Sequence, residues 1–264
     1  MKEEQHPPRV IEIGDGASIP DPSDTRLITA WSVSFAGAVA AVFFLCVFYP
    51  DPYWTIMKFL PDGIIITFKI TILGILAAIP IGFATGLGRL SGNRVINLAA
   101  SIYVEVIRGI PLLVQLCFIY YGLGRVVRMP DLMAAVTAMA ICYGAYMGEV
   151  FRAGISAIDR GQTEAARSLG FNRTETMLLV VLPQAWRTIL PPVGNEFIAL
   201  LKDTSLVSIM AMTNILQRGR EYASRTYEVF ETYLMVALLY LLITLLLSKG
   251  VSLMEARLNY YGRK

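Results

Sequence analysis

The sequence is poor in the residues from which catalytic and metal sites are usually built. Its only histidine, His6, lies in a polar N-terminal stretch, so neither a histidine metal site nor a serine-histidine-aspartate triad can be assembled. The three cysteines (Cys46, Cys117 and Cys142) all fall inside apolar segments, which is typical of small buried side chains rather than of disulfides. We therefore expect no catalytic residue and no metal ligand in this chain.

Charged residues are also scarce. They make up 16% of the 264 residues, against 55% hydrophobic residues, and the mean hydropathy is +0.57. A soluble domain of this length needs far more polar surface, so the composition indicates an integral membrane protein. The net charge of +3 comes without a basic run or patch, which gives no indication of nucleic-acid binding.

The sequence also lacks the phosphate-binding loop with which many proteins bind ATP. The chain has no Gly-x-x-x-x-Gly-Lys-Ser/Thr loop, so it is not expected to bind ATP in the usual way. What the sequence does contain is a series of long apolar runs. Crossing a hydrocarbon core takes about 20 helical residues. The segments that qualify as predicted spans are 30–50, 63–88, 103–124, 131–152, 176–201 and 230–249.

The basic residues of the loops predict the orientation. More lysines and arginines follow the second, fourth and sixth predicted spans than lie in the opposite loops, which hold Lys58, Arg125, Arg128, Arg218, Arg220 and Arg225, and the richer loops share one side if every segment crosses. The positive-inside rule makes that side cytoplasmic and places both termini inside. Residues 1–28 are acidic, rich in proline and without the basic start of a cleaved signal peptide, so we expect a flexible tail followed by a retained first span.

A polar, helix-prone island lies between the fourth and fifth predicted spans, at Asp159-Arg-Gly-Gln-Thr-Glu-Ala-Ala-Arg-Ser-Leu-Gly170. Glu164, Ala165 and Ala166 are predicted to start a short helix. Gly170 stands where a helix end requires a left-handed residue. Val180-Val-Leu-Pro183 follows after nine residues.

Charged residues within the third and fourth predicted spans recur at a three-residue spacing. Glu105 with Arg108, and Glu149 with Arg152, lie on one helical face and are expected to pair as interfacial salt bridges more readily than to contact a substrate. Pro111 is expected to break the hydrogen-bond ladder of the third span.

The fifth predicted span carries the best candidates for substrate binding. Pro191, Pro192 and Gly194 are expected to interrupt it, leaving unwound backbone beside a cavity. Glu196 is then suited to bind an ammonium group. Lys202, with Thr204 and Ser205, is suited to bind a carboxylate, and opposite charges in one pocket fit an amino acid. Alternatively, Glu196 and Lys202 neutralise each other or neighbouring helices, although six residues separate them on different helical faces.

Four runs carry a resemblance to a known family. They are Arg108-Gly-Ile-Pro-Leu-Leu-Val-Gln115, Gly161-Gln-Thr-Glu-Ala-Ala166, Leu190-Pro-Pro-Val-Gly-Asn-Glu196 and Leu201-Lys-Asp-Thr-Ser-Leu206. Together they resemble the polar amino-acid (histidine/glutamine/arginine-type) permeases of ATP-binding-cassette (ABC) importers over about residues 63–255. The resemblance implies an all-α integral membrane fold, the type I importer transmembrane domain, with five core helices and here one extra N-terminal helix.

The resemblance also implies roles for individual residues. Coupling to an ATPase subunit falls on the polar island, through Gln162, Glu164, Ala165, Ala166 and Gly170. Contact with the amino acid falls on Glu196, Lys202 and Thr204, and Ser205 and Gln115 complete our candidate substrate site.

The resemblance further implies the domain organisation and the partners. We expect a tail at 1–28, the extra helix with an outer loop at 29–60, the permease domain at 61–255 with a coupling loop at 159–173, and a C-terminal tail at 256–264. Expected partners are two ATPase subunits holding ATP and magnesium, a second permease subunit (identical or homologous), an extracytoplasmic amino-acid-binding protein and the lipid of a bacterial inner membrane.

Two other functions are weighed against an ATP-driven importer. An ion-gradient-driven secondary transporter would also explain Glu196, but no pair of inverted repeats with matching broken helices is visible. A membrane-embedded enzyme lacks the paired carboxylates or histidines its chemistry would need.

Overall fold

The computed structural model describes residues 29–260, apart from the side chains of Arg125, Asn259 and Tyr260. The predicted tail at 1–28 and residues 261–264 lie outside this range. The described residues form helices and short connections, with no strand among them. The helices are α1 (Ala30–Phe48), α2 (Pro50–Phe59), α3 (Pro61–Arg89), α4 (Arg94–Gly109), α5 (Leu112–Cys117), α6 (Gly124–Val127), α7 (Asp131–Ser156), α8 (Arg160–Ser168), α9 (Arg173–Glu175), α10 (Leu182–Asp203), α11 (Ile215–Thr226) and α12 (Val229–Tyr260).

Four helical segments are long and apolar enough to cross a membrane, and the number rises to the predicted six if each of two bent helix pairs is one crossing. The four segments are α1, α2 with α3, α7 and α12. The two bent pairs are α4 with Leu112–Leu123, bent by 100°, and Arg173–Met210 with α11, bent by 47°. Two π-helical segments, Phe118–Leu123 and Thr176–Val181, and a 3₁₀ segment, Thr204–Met210, belong to these bent pairs.

The core is centred on α3 and α7, which pack backbone to backbone. A β-carbon at Gly86 of α3 would lie 2.7 Å from the β-carbon of Phe151, and one at Gly148 of α7 would lie 2.9 Å from Thr85 Cγ2. Small residues at these positions allow the close approach on which helix association in lipid depends. The sequence Gly82-x-x-x-Gly86 opposite Gly144-x-x-x-Gly148 therefore forms the α3–α7 seam.

The contacts along the seams give the direction of each helix. Gly74 meets Met139 and Gly86 meets Phe151, so α3 and α7 run parallel. Gly154 meets Ile189, whereas the earlier Tyr143 bonds to the later Asp203, so α10 runs antiparallel to both. The ends of α3 and α7 and the start of α10 consequently lie with α8, on what we call the α8 side. The starts of α3, α7 and α12 lie with α11, on the α11 side.

The N-terminal helix α1 packs on α12. The indole Nε1 of Trp31 donates to the Leu245 carbonyl at 2.8 Å, and the Lys249 ammonium lies 5.2 Å from the Trp31 ring centre. These contacts place the start of α1 on the α8 side. The outer loop expected before residue 60 is instead α2, whose Tyr53 and Ile56 are buried in a cluster with α11 and α12.

One local expectation was wrong. Pro191 and Pro192 do not interrupt the fifth span, because both lie inside the continuous helix α10. One face of that helix is buried, through Ile189, Leu200 and Leu201, and this packing holds the helix together where two backbone donors are missing. The C-terminal tail expected from residue 256 is helical as far as Tyr260.

Candidate coupling helix and substrate site

The polar island folds as the helix α8, which begins at Arg160, four residues before the predicted start. Asp159 is its N-cap, and its carboxylate accepts a 2.6 Å hydrogen bond from the Gly161 amide. A carboxylate at this position satisfies a backbone donor that the helix leaves free and favours its positive end. Sequence reasoning missed this cap, although an aspartate directly before a helical run is a recognised start signal.

The end of α8 agrees with the prediction. Gly170 has a left-handed backbone, with φ of 92°. Its amide donates to the Arg167 carbonyl at 3.0 Å, and the Phe171 amide donates to the Ala166 carbonyl at 3.2 Å. This pair of bonds is the Schellman arrangement, which satisfies carbonyls at a helix end and favours glycine. α8 is therefore a short helix with both ends fixed by its own sequence.

The residues predicted to couple to a partner fall on two faces of α8. Glu164 and Ala165 are exposed, as is Gly170 beyond the helix end, whereas Ala166 is buried against the rest of the chain. The Gln162 side chain accepts a 3.1 Å hydrogen bond from the Gln184 amide and so joins α8 to the start of α10. An exposed face is thus carried on a helix that is attached to α7 by a short turn and to α10 by a side chain.

The second feature of the site is the break between α4 and α5, at Pro111. Gln115 lies beneath this break with 6% of its surface exposed. Its amide nitrogen donates to the carbonyls of Ile107 at 2.7 Å and Ile110 at 2.8 Å, and its Oε1 has no partner among the described residues. The bend leaves the carbonyls of Ile107 and Ile110 without helical donors, and the Gln115 side chain donates a hydrogen bond to each. The sequence run predicted Gln115 as a substrate contact, and the structure places it at the bend.

Glu196 lies half-buried on α10. One of the charges that act on it belongs to Arg108, which was expected to pair with Glu105. The charged groups that act on Glu196 are Arg108 of α4 and Asp203 at the end of α10. The Arg108 guanidinium lies 5.0 Å from the ring centre of Tyr146 on α7. The expected pairing of Arg108 with Glu105 is absent from the described ion pairs, and the guanidinium lies instead over the Tyr146 ring of α7.

The other predicted pair is confirmed. Arg152 Nη2 lies 2.9 Å from Glu149 Oε2, and Arg89 at the end of α3 also pairs with Glu149. One carboxylate therefore ties the ends of α3 and α7 together on the α8 side. This arrangement agrees with the structural role expected for Glu149 and Arg152.

The remaining predicted substrate residues do not gather around Glu196. Lys202 is exposed and has no ion pair with Glu196 among the described residues, and Ser205 is half-buried. Thr204 is fully buried, its hydroxyl donating to the Leu201 carbonyl at 2.6 Å. Asp203, between them, accepts a 2.8 Å bond from the Tyr143 hydroxyl. The sequence analysis did not predict a role for Tyr143, Tyr146 or Asp203. Two tyrosines three residues apart in an apolar span could have indicated that Tyr143 and Tyr146 belong to the site.

A bundle of membrane-crossing helices with a capped polar helix exposed between two of them is typical of one class of protein, the transmembrane domains of type I ABC importers. A family model, the inner membrane component of binding-protein-dependent transport systems, matches residues 70–260. The chain belongs to this family.

Relatives and solved structures agree with this membership. The chain is 36% identical to the glutamine transport system permease protein of Escherichia coli strain K12, over 78% of this chain and 95% of the relative. It is also 36% identical to the L-cystine transport system permease protein of Bacillus subtilis strain 168, over 80% of this chain and 90% of the relative.

Among solved structures, an amino acid ABC transporter crystallised with histidines matches with a TM-score of 0.72 at 42% identity, over 76% of this chain and 94% of that one. An inward-facing methionine ABC transporter matches with a TM-score of 0.69 at 18% identity, over 77% of this chain and 98% of that one, which shows the fold alone.

Proposed function

We propose that this chain is the permease subunit of an ATP-driven importer for polar or charged amino acids. The observation that carries the proposal is α8, a helix capped at both ends that exposes Glu164 and Ala165 between two spans. The names of the relatives support the substrate class, since they are permeases for glutamine and cystine. None of those named is an ion-driven secondary transporter, which sets that alternative aside.

The proposed assembly has two ATPase subunits docked on α8 and on its counterpart in a second permease subunit, identical or homologous. ATP and magnesium are bound by the ATPase subunits, and an extracytoplasmic amino-acid-binding protein delivers the substrate to the α11 side. The α8 side then faces the cytoplasm of a bacterium, and both termini lie there. Support comes from the family and from the arginines on the α8 side.

Coupling is proposed to run through rigid attachments. α8 follows α7 after a short turn and is bonded to α10 through Gln162 and Gln184. A displacement of α8 by an ATPase subunit therefore tilts α7 and α10 together, and alternation between two such tilts gives alternating access. Gln162, Glu164, Ala165, Ala166 and Gly170 retain their proposed coupling roles, with Ala166 on the inward face.

We propose that the substrate lies between α4 and α10, which carry the oppositely charged Arg108 and Glu196. The Glu196 carboxylate binds the ammonium group, and the Arg108 guanidinium, beside Tyr146, donates hydrogen bonds to the carboxylate. Lys202 and Ser205 are proposed to meet the substrate on its way from the α11 side. Thr204 and Gln115 are proposed to position the backbone around the site rather than to contact the substrate, because both side chains already donate hydrogen bonds to backbone carbonyls.

Coupling is tested by Glu164→Ala in the complete transporter, reconstituted with its ATPase subunits. We expect substrate-stimulated ATP hydrolysis to be lost while the variant still inserts into the membrane. Glu255→Ala, which removes a carboxylate from α12 on the same side, is the matched control and should leave stimulation unchanged. A chain that captures no ATPase subunit and transports when expressed alone would overturn the proposal.

The substrate site is tested by Glu196→Gln, with Glu105→Gln on the exposed face of α4 as the control. Loss of one charge-assisted bond should lower uptake by about 10- to 100-fold. Uptake of radiolabelled glutamine, histidine and arginine in proteoliposomes measures the effect. If Glu196→Gln and Glu105→Gln transport equally well, Glu196 does not contact the substrate.

A further inference from the structure

A cleft of about 450 Å³ lies between α8 and the ends of the spans on the α8 side. Its lining combines apolar and basic residues with three hydroxyl side chains, those of Ser156, Thr163 and Thr176. Leu90, Ile155 and Val181 are among the apolar residues that line it, and Arg160, Arg167 and Arg173 supply three positive charges. A cavity that combines apolar walls with several cations matches an amphiphile with a negatively charged end.

The three arginines are available to bind an anion. Each is exposed, and none takes part in an ion pair among the described residues. Their neighbours Arg89 and Arg152 behave differently, because both pair with Glu149. Arg160 and Arg167 are seven residues apart on α8 and share one face of the helix. Three like charges around one cleft repel each other, and a bound anion relieves that repulsion.

The depth of the cleft identifies the anion. Leu90 directly follows α3, Ile155 lies in the last turn of α7, and Val181 directly precedes α10. The apolar part of the lining is therefore drawn from the ends of membrane-crossing helices, where hydrocarbon gives way to headgroups. Basic pockets between transmembrane helices at this level bind anionic lipid headgroups.

We propose that this cleft binds one anionic phospholipid of the adjoining leaflet. Arg160, Arg167 and Arg173 hold its phosphate, and the glycerol and upper acyl carbons lie against Leu90, Ile155 and Val181. A free phosphate would leave the apolar lining unused, and so would an acidic side chain of a protein partner. The lipid would lie between α8 and the spans, on the face of α8 that carries Arg160 and Arg167, which borders Glu164 and is opposite Ala165. The inference requires membrane embedding and does not depend on the transported substrate.

The test measures lipid retained by the purified transporter, with its ATPase subunits, after reconstitution in nanodiscs of phosphatidylcholine containing a minor fraction of phosphatidylglycerol. Native mass spectrometry counts the bound lipids. We expect phosphatidylglycerol to be retained preferentially. The triple substitution Arg160→Gln, Arg167→Gln and Arg173→Gln should weaken its binding on the order of 100-fold, or roughly fivefold for each arginine. Arg94→Gln with Arg257→Gln, which removes exposed arginines outside the cleft, should leave retention unchanged.

Other results would overturn the proposal. Equal retention of both lipids, or undiminished phosphatidylglycerol in the triple glutamine variant, means that no such site exists. Displacement of the lipid by millimolar inorganic phosphate means a free-anion site. Loss of the ATPase subunit with unchanged lipid means that the arginines bind acidic residues of that partner. The triple lysine variant keeps the charge and should retain the lipid. If the glutamine variant is not monodisperse, the three single substitutions and the phosphate competition decide the question.

Discussion

The α3–α7 seam and the contact of α1 with α12 are both helix pairs in a membrane, yet they are held together differently. In α7, 67% of the most apolar stretch of 18 residues is buried, whereas in α1 the buried fraction of the corresponding stretch is 6%. Glycines bring the backbones of α3 and α7 together. α1 instead leaves Phe43 and Phe48 exposed and meets α12 through the polar contacts of Trp31.

Lipid explains why both arrangements occur. An apolar side chain gains little by leaving acyl chains for another helix, so association depends on close packing or on interhelical hydrogen bonds. The α3–α7 seam uses close packing along its length, and α1 relies on a hydrogen bond and a cation–π contact near its start. We therefore expect the same kind of substitution to have very different effects at the two places.

The largest effect is expected for Gly82→Val in the α3–α7 seam. A β-carbon at Gly82 would collide with the β-carbon of Met147, so one helix must move. The expected loss is about 3 kcal/mol, at the upper end of overpacking effects. Gly37→Val in α1 is the matched control, since nothing lies within 4 Å of a β-carbon there. Thermal unfolding of the purified subunit measures both. Equal losses would contradict the contrast between the seams.

A smaller effect is expected for Gln115→Leu at the bend between α4 and α5. The substitution leaves the carbonyls of Ile107 and Ile110 without their donor, which should cost about 2 kcal/mol. Gln184→Leu removes an exposed side-chain bond and should barely change the unfolding temperature. If both variants unfold like the wild type, the bend is held by packing rather than by Gln115.

The helix α8 belongs to neither of these helix pairs, and its stability should depend on its caps. Asp159→Ala removes the bond to the Gly161 amide and should cost about 1 kcal/mol in the stability of this helix. Asp159→Asn keeps a capping oxygen and should restore it. Hydrogen exchange over residues 160–168 measures the change. Protection that stays the same in the alanine variant would show that α8 is held by its attachment to α10.

The smallest effect is expected at α1. Trp31→Phe keeps the aromatic ring but removes the bond to the Leu245 carbonyl, and polar interhelical bonds in membranes contribute about 0.6 kcal/mol on average. Trp54→Phe, at an exposed ring on α2, is the control. A loss as large as that of Gly82→Val would place α1 within the core.

Proline illustrates where prediction from sequence succeeded and where it failed. Pro111 was expected to break its span, and the chain bends there by 100°. Pro191 and Pro192 were expected to do the same, but α10 continues through them. Each proline removes a backbone donor in both cases. The outcome differs because α10 is supported by buried neighbours, whereas α4 ends where Gln115 can satisfy the freed carbonyls.

The sequence by itself determined the membrane environment and the end of α8, because these depend on the length of apolar runs and on one glycine conformation. The family followed from short motifs at fixed spacing. Only the tertiary structure decided that Arg108 lies over Tyr146 of α7 rather than pairing with Glu105, that Thr204 is buried and that three arginines line one cleft. Those facts depend on which helix faces meet, and residues far apart in sequence set them through packing.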